Sequence, residues 1–230
     1  MVLTRDVIRF AFLVVSLIGA VSTGACGNDE AGSGSSGSSE DKPRVGLTPA
    51  QYSALEGVYV APVPWDKLDS AATPPSHARV QALARPVVAK CDPLDTDDAL
   101  LSAMRETCLA AARFLIASYA PVGCRTAKTC AEGFAEARDA GNAMIEASRA
   151  SDRAIDAARI PTACKDAMLT PEAAYAYYER LDARVRSFVD ALRAESEPRV
   201  RSAAAALRRL GDADVPSNRE SLTRFRARCR

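Results

Sequence analysis

The chain has 230 residues, with 30 Lys and Arg against 29 Asp and Glu, one histidine, and 48% hydrophobic residues. A balance so close to neutral gives no global attraction for nucleic acid, and a single histidine leaves little material for Ser/His/Asp or Cys/His chemistry. Abundant Ala, Arg, Leu and acidic residues, with few aromatics and few glycines, favour helix over strand.

Residues 1–25 have the three parts of a secretory signal. Arg5 and Arg9 lie near the start, an apolar run spans Phe10 to Val21, and small residues precede a cleavage point. The run is about a dozen residues, short of the roughly 20 that a spanning helix needs. Counting from Val7 through Ala25 approaches that length, so an uncleaved anchor stays open as the alternative.

The signal ends at Thr23-Gly24-Ala25-Cys26, which resembles the lipobox of bacterial prolipoproteins, with small Gly24 and Ala25 just before the cysteine. The resemblance implies that Cys26 carries fatty acyl chains of the palmitate type and becomes the first residue of the mature protein. It implies a protein held on the extracytoplasmic side of the cell membrane, and it covers the targeting segment alone. Cysteine parity points the same way. Seven cysteines are present, and an odd count in an exported chain leaves one thiol without an internal partner. Assigning Cys26 to lipid leaves Cys91, Cys108, Cys124, Cys130, Cys164 and Cys229, which can form three disulfides in an oxidising compartment. The plainer alternative is a secreted protein cut after Ala25 with Cys26 free.

After the anchor, residues 26–48 contain the Ser/Gly-rich stretch AGSGSSGSSEDKP, with too little apolar content to offset the entropy of ordering. The expectation is a disordered tether that holds the domain about 25 Å from the lipid on average. Residues 49–230 are expected to form one helical domain. Without residues 1–25, 28 charges of each sign remain.

Thr48-Pro49 with Gln51 three residues after the cap predicts a helix start. The following GVYVAPVPWDKLDSAATPPS carries Pro62, Pro64, Pro74 and Pro75, which forbid a continuous helix. It reads as a loop that lays Tyr59 and Trp65 on the domain. Val80, Ala84, Val87 and Cys91 then recur at helical spacing and end at Asp92-Pro93. Asp95-Thr96 is the expected cap of the next helix, whose stripe is Leu101, Met104, Cys108, Ala111 or Ala112, Leu115 and Tyr119. The longest element is expected to open at a Thr129/Glu132 capping box and run to Pro161. One of its rows follows Phe134, Ala137, Gly141, Met144, Ser148, Ser151, Ile155 and Ala158. A second row, Ala140, Ala143, Ala147, Ala150, Ala154 and Ala157, would let neighbouring helices approach closely.

Thr170-Pro171-Glu172 opens a further helix with Ala174, Tyr178, Leu181, Val185, Phe188 and Leu192 on one face. Ser196-Glu197-Pro198 kinks or restarts it, and Gly211 is a suitable stop. A capping box at Ser217 and Glu220 predicts a terminal helix carrying Leu222, Phe225 and Cys229. No strand pattern competes. The expected fold is all-α, an antiparallel bundle on residues 96–120, 130–160 and 171–195 with shorter helices packed against it and disulfides stapling it.

Six cysteines allow 15 pairings. Cys124 and Cys130 flank one turn and are expected to pair. Cys91 and Cys164 both belong at the opposite end, while Cys108 lies about 18 Å up its helix by the 1.5 Å rise. This favours Cys91 with Cys164 and Cys108 with Cys229. The rival is Cys91 with Cys108 and Cys164 with Cys229. No cysteine spacing matches a zinc site, and His77, next to Pro74-Pro75-Ser76, reads as an exposed residue near a helix start. Neither a metal nor a cofactor is expected.

Two features remain as binding candidates. Tyr175, Tyr177 and Tyr178 point in different directions on one helix, so they are not all expected in the core; the favoured reading packs them against the Pro-rich loop, and the alternative is that one or two line a groove or an interface. From Arg199 to Arg230 nine arginines face three acidic residues, so Arg219, Arg224, Arg226 and Arg228 form a candidate surface for an anionic envelope component. The favoured reading of these arginines pairs them with Asp95, Asp97, Asp98, Glu132 and Glu136 on the acidic faces of neighbouring helices. The functional expectation is a non-catalytic helical module, anchored to the membrane by its lipid, that binds an envelope protein or an anionic component. The alternative is a small-molecule or sensor domain with a pocket between helices.

Overall fold

The computed structural model describes residues 46–60, 77–94, 97–122, 124–211 and 221–230, and among them eight helices and no strand. They are α1 (Pro49–Val60), α2 (His77–Cys91), α3 (Ala99–Ser118), α4 (Ala127–Ala157), α5 (Thr162–Met168), α6 (Glu172–Arg193), α7 (Glu197–Gly211) and α8 (Ser221–Arg228). The signal, the lipobox cysteine, most of the tether, Trp65, Arg219 and the Ser217/Glu220 box lie outside the described residues. So do the side chains of Tyr59 and His77.

Local chemistry sets the helix ends. Thr48 and Gln51 form a reciprocal box at the start of α1, with Gln51 N–H donating to Thr48 Oγ1 at 3.2 Å and Thr48 N–H donating to Gln51 Oε1 at 2.9 Å. Two expected caps sit elsewhere. In α3 the cap is Asp98, whose Oδ1 accepts from the N–H groups of Leu100 and Leu101. In α4 it is Thr126, boxed with Thr129, so the helix opens three residues earlier than the Thr129/Glu132 reading. Thr129 is present in the motif, but as its third helical residue. Helix α4 also stops at Ala157, and Thr162–Met168 forms the separate short helix α5 that the sequence reading did not resolve.

Between α6 and α7 the chain turns on Glu195, at φ 48°. Ser196 N–H reaches Ala191 C=O at 3.3 Å and Glu195 N–H reaches Leu192 C=O at 3.0 Å. This is a Schellman ending built on a non-glycine residue.

The long helices lie side by side in chain order, α2 on α3, α3 on α4, α4 on α6 and α6 on α7. Neighbours run antiparallel, as three contacts along α3 and α4 show. Ser151 meets Met104 at one end, Thr107 Oγ1 donates to Ala147 C=O at 2.9 Å in the middle, and Gly133 abuts Pro121 at the other end. The principal core joins α3, α4, α6 and α7 through Phe114, Phe134, Phe188, Leu192 and Leu207. Phe134 meets Phe188 edge-on at 5.0 Å, a favoured aromatic geometry. The first row on α4 faces inward as its spacing predicts, but Ala143 and Ala157 of the second row are exposed.

A second core gathers α1, α5, α8, the start of α3 and the end of α4 around Leu55, Leu101, Ile155, Ile160 and Phe225. The last residues assigned to the tether belong to this part of the fold, since Gly46 N–H donates to Arg159 C=O at 3.2 Å.

Three disulfides staple the fold: Cys91–Cys108, Cys124–Cys130 and Cys164–Cys229, with Cα separations of 5.7, 5.1 and 4.7 Å. The favoured pairings Cys91–Cys164 and Cys108–Cys229 are therefore corrected to their rival. The reason is packing. Helix α1 occupies the space beside the first turns of α3, where Leu55 meets Leu100 and Leu101. Helix α2 is thus set further along α3, and its last residue lies beside Cys108. Arg105 holds that register, with its guanidinium 3.6 Å from the Asp92 carboxylate.

Candidate functional site

Among the described residues, a cleft with apolar walls and polar side chains at its edge lies where α3, α4 and α6 meet. Phe114 of α3 supplies one wall. Phe134, Ala137, Gly141 and Ile145 of α4 supply the second, and Tyr178, Leu181 and Val185 of α6 the third. The empty space here, open solvent at its mouth included, comes to about 370 Å3. Gly141 keeps it open, because a Cβ there would stand 3.2 Å from Phe114 Cε2.

Polar side chains of α4 and α6 ring the mouth. Asp182 is their centre. Asn142 Nδ2 donates to its Oδ1 at 3.0 Å, Arg186 donates to its Oδ2 at 2.8 Å, and Arg138 Nε stands 3.8 Å from Oδ1. Arg138 makes its hydrogen bonds to the neighbouring Asp139, at 2.7 and 3.1 Å. Helical spacing explains the grouping: 138 and 142 are one turn apart on α4, and 182 and 186 one turn apart on α6.

Roughly two to three turns along the same two helices lies a second polar hub. Asp152 accepts from Tyr175 Oη at 2.6 Å and from Thr170 N–H at 3.1 Å, with the Arg149 guanidinium over the Tyr175 ring at 5.3 Å. Burial, joined by the hydrogen bond to Asp152, pushes the Tyr175 phenol well above its usual value. This hub fixes the start of α6, which has no side-chain cap of its own.

The three tyrosines correct the expectation that they could not all be core. Tyr175, Tyr177 and Tyr178 are 8%, 2% and 7% exposed. Helix α6 packs against α4 on one side and α7 on the other, so more than half of its circumference is covered. Only Tyr178 lines the cleft. Tyr177 Oη is buried without a hydrogen-bond partner, and desolvation raises its phenol.

The candidate arginines do not form one open surface. Arg226 Nε bonds Glu56 at 2.7 Å, not Glu132 or Glu136. Arg224 is partly buried, and Arg228 is exposed. Arg230 Nε donates to Tyr52 Oη at 3.3 Å, while the Tyr52 ring stacks on Phe225 at 5.1 Å. Together with Cys164–Cys229 these contacts clasp α8 to α1 and α5.

Sequence reasoning did not single out Arg138, Asn142 or Asp182. The available signal was Gly141, a glycine in the middle of a long helix, where it costs about 1 kcal/mol relative to alanine and so marks a place where a side chain is not wanted. Among the described residues there is no group of three His, Cys, Asp or Glu placed to hold a metal ion, and no helix long and apolar enough to cross a membrane. Compared with protein-family models, with curated proteins and with solved structures, the chain matches none.

Proposed function

We propose that the chain is an exported protein, anchored by lipid at Cys26 on the extracytoplasmic side of the cell membrane, that acts as a non-catalytic helical binding module of the envelope. The observation that carries this reading is cysteine pairing. All six cysteines after Cys26 pair off in three disulfides, which leaves Cys26 as the odd one, at the junction that resembles a lipobox. Three disulfides also suit an oxidising compartment.

The test is expression of the full chain in a bacterium supplied with radiolabelled palmitate. Label should enter the protein and be lost in Cys26→Ser. Label that persists in the variant, or never appears in the parent, ends the anchor reading.

A second reading is favoured by the cleft between α3, α4 and α6. Its apolar floor and polar mouth suit a small ligand with one apolar group, so the module would bind a small molecule instead of a protein face. Saturable binding of a neutral aromatic probe such as benzyl alcohol, displaced by filling the cleft at Gly141, would support it.

A further inference from the structure

We infer that the cleft between α3, α4 and α6 takes a small zwitterion bearing one apolar group, the chemistry of a free apolar amino acid. This rests on the cleft reading above and is independent of the lipid anchor.

The floor selects the apolar group. Phe114, Phe134, Ile145 and Leu181 are each less than a tenth exposed and present only carbon to the space, so nothing there satisfies a buried polar group. Gly141 sets the width, since the Phe114 ring occupies the space next to it. A branched alkyl or phenyl group matches these carbon walls in chemistry.

The mouth narrows the class further. Arg138 Nε and Asp182 Oδ1 face each other at 3.8 Å, too far apart for a hydrogen bond. They are matched in charge without being bonded. Arg138 gives its hydrogen bonds to Asp139, a residue next to it in sequence whose side chain is 66% exposed, and exposed pairs of that kind are given up readily. An arriving carboxylate therefore meets a planar guanidinium fork suited to it.

Asp182 accepts from Asn142 and Arg186, and the four lone-pair positions of a carboxylate leave room for a further donor. An arriving ammonium has that place. A singly charged head is disfavoured here. An anion alone would sit beside Asp182, and a cation alone would sit between Arg138 and Arg186. An α-amino acid, whose two charged groups are separated by one carbon, meets the opposite charge at each point.

The chain from residue 26 onward with Cys26→Ser keeps every described residue and is the form to use. Free leucine and free phenylalanine are titrated into it by calorimetry, beside 2-phenylethylamine, 3-phenylpropanoate and benzyl alcohol. Saturable binding of either amino acid is expected, weakened roughly ten- to a hundred-fold by Asp182→Asn and by Arg138→Gln, and lost in Gly141→Leu. Circular dichroism melts establish that each variant is folded. Should Gly141→Leu fail to fold, the two rim variants decide the matter, since Arg138 and Asp182 are partly exposed and belong to no apolar core cluster.

Phenylethylamine or phenylpropanoate binding as tightly as phenylalanine overturns the inference, as does amino-acid binding untouched by both rim substitutions. Binding of benzyl alcohol alone overturns the zwitterion while leaving the cleft reading intact. No binding by any of the five probes ends both.

Discussion

The two ends of the molecule are held together in different ways. At one end, α1, α5 and α8 come together from positions far apart in sequence. Cys164–Cys229 closes a separation of 65 residues there, Tyr52 stacks on Phe225, and Arg226 pairs with Glu56. At the other end, the pieces are neighbours in the chain. Cys124–Cys130 spans six residues, Thr126 and Thr129 cap α4, and Gly133 lies against Pro121 within the same hairpin. Cohesion at the first end depends on a cross-link between distant elements. At the second it depends on close backbone approach, and the cleft of α3, α4 and α6 lies further along those same helices, at Gly141.

The sharpest way to separate the two is to remove each cross-link. In the chain-entropy account a disulfide stabilises in proportion to the logarithm of the loop it closes. Replacing Cys164 and Cys229 together by alanine should cost about 4 kcal/mol, and the same change at Cys124 and Cys130 about 2 kcal/mol. Urea unfolding of the two double variants measures the difference. Equal losses would mean that α8 is held by its apolar and ionic contacts and not by the cross-link.

The second end is probed at Gly133. A Cβ there would stand 2.8 Å from both Cα and N of Pro121 and 2.9 Å from the Ala120 carbonyl carbon. These are backbone atoms, so the helix must move away from the turn to admit a methyl group. Gly133→Ala should lose about 1–3 kcal/mol despite the better helix propensity of alanine. A variant as stable as the parent would show that α4 and the 119–122 turn are not in close contact.

A smaller effect, of opposite sign, is expected between the two ends at Tyr177. Its hydroxyl is buried without a partner, so Tyr177→Phe should raise stability by about 1 kcal/mol. The substitution also changes the alkaline limb. Burial raises the folded phenol, so the unfolded chain loses its proton first, near the ordinary value of about 10. Stability contributed by the protonated phenol is complete below that pH and is lost as pH rises toward the folded value. Tyr177→Phe should therefore flatten the decline above about pH 10, leaving the part due to Tyr175. A decline as steep as the parent's would place Tyr177 in water.

How much of this was legible in the sequence follows the same division. Inward stripes such as Val80–Ala84–Val87–Cys91 and Tyr178–Leu181–Val185–Phe188 could be read because helical periodicity is a local property. The all-α class followed from them. Disulfide partners at the α1 end could not, because the offset of α2 along α3 is set by where α1 docks, and nothing in the spacing of the cysteines encodes that. The caps shifted by up to three residues because Asp98 and Thr126 compete with equally plausible neighbours. Asp182 carried no signal at all. It is one acidic residue among many on helix surfaces, and its partner Asn142 on α4 lies 40 positions away.

The smallest expected change compares two glycines of one helix. Gly141 and Gly133 both lie inside α4, so alanine at either position gains the same helix propensity, about 1 kcal/mol. At Gly133 that gain is overwhelmed by backbone contact. At Gly141 the atom met is Phe114 Cε2 at 3.2 Å, with the rest of the ring at 3.6 Å and beyond. The ring can yield by a few tenths of an ångström because the cleft gives it somewhere to go. Crowding and propensity should then nearly cancel, leaving Gly141→Ala within about 0.5 kcal/mol of the parent. Thermal melts of the two alanine variants side by side provide the comparison. A loss at Gly141 as large as that at Gly133 would mean that Phe114 has no room to move, and a floor that rigid would leave the space beside it closed to a phenyl-sized group.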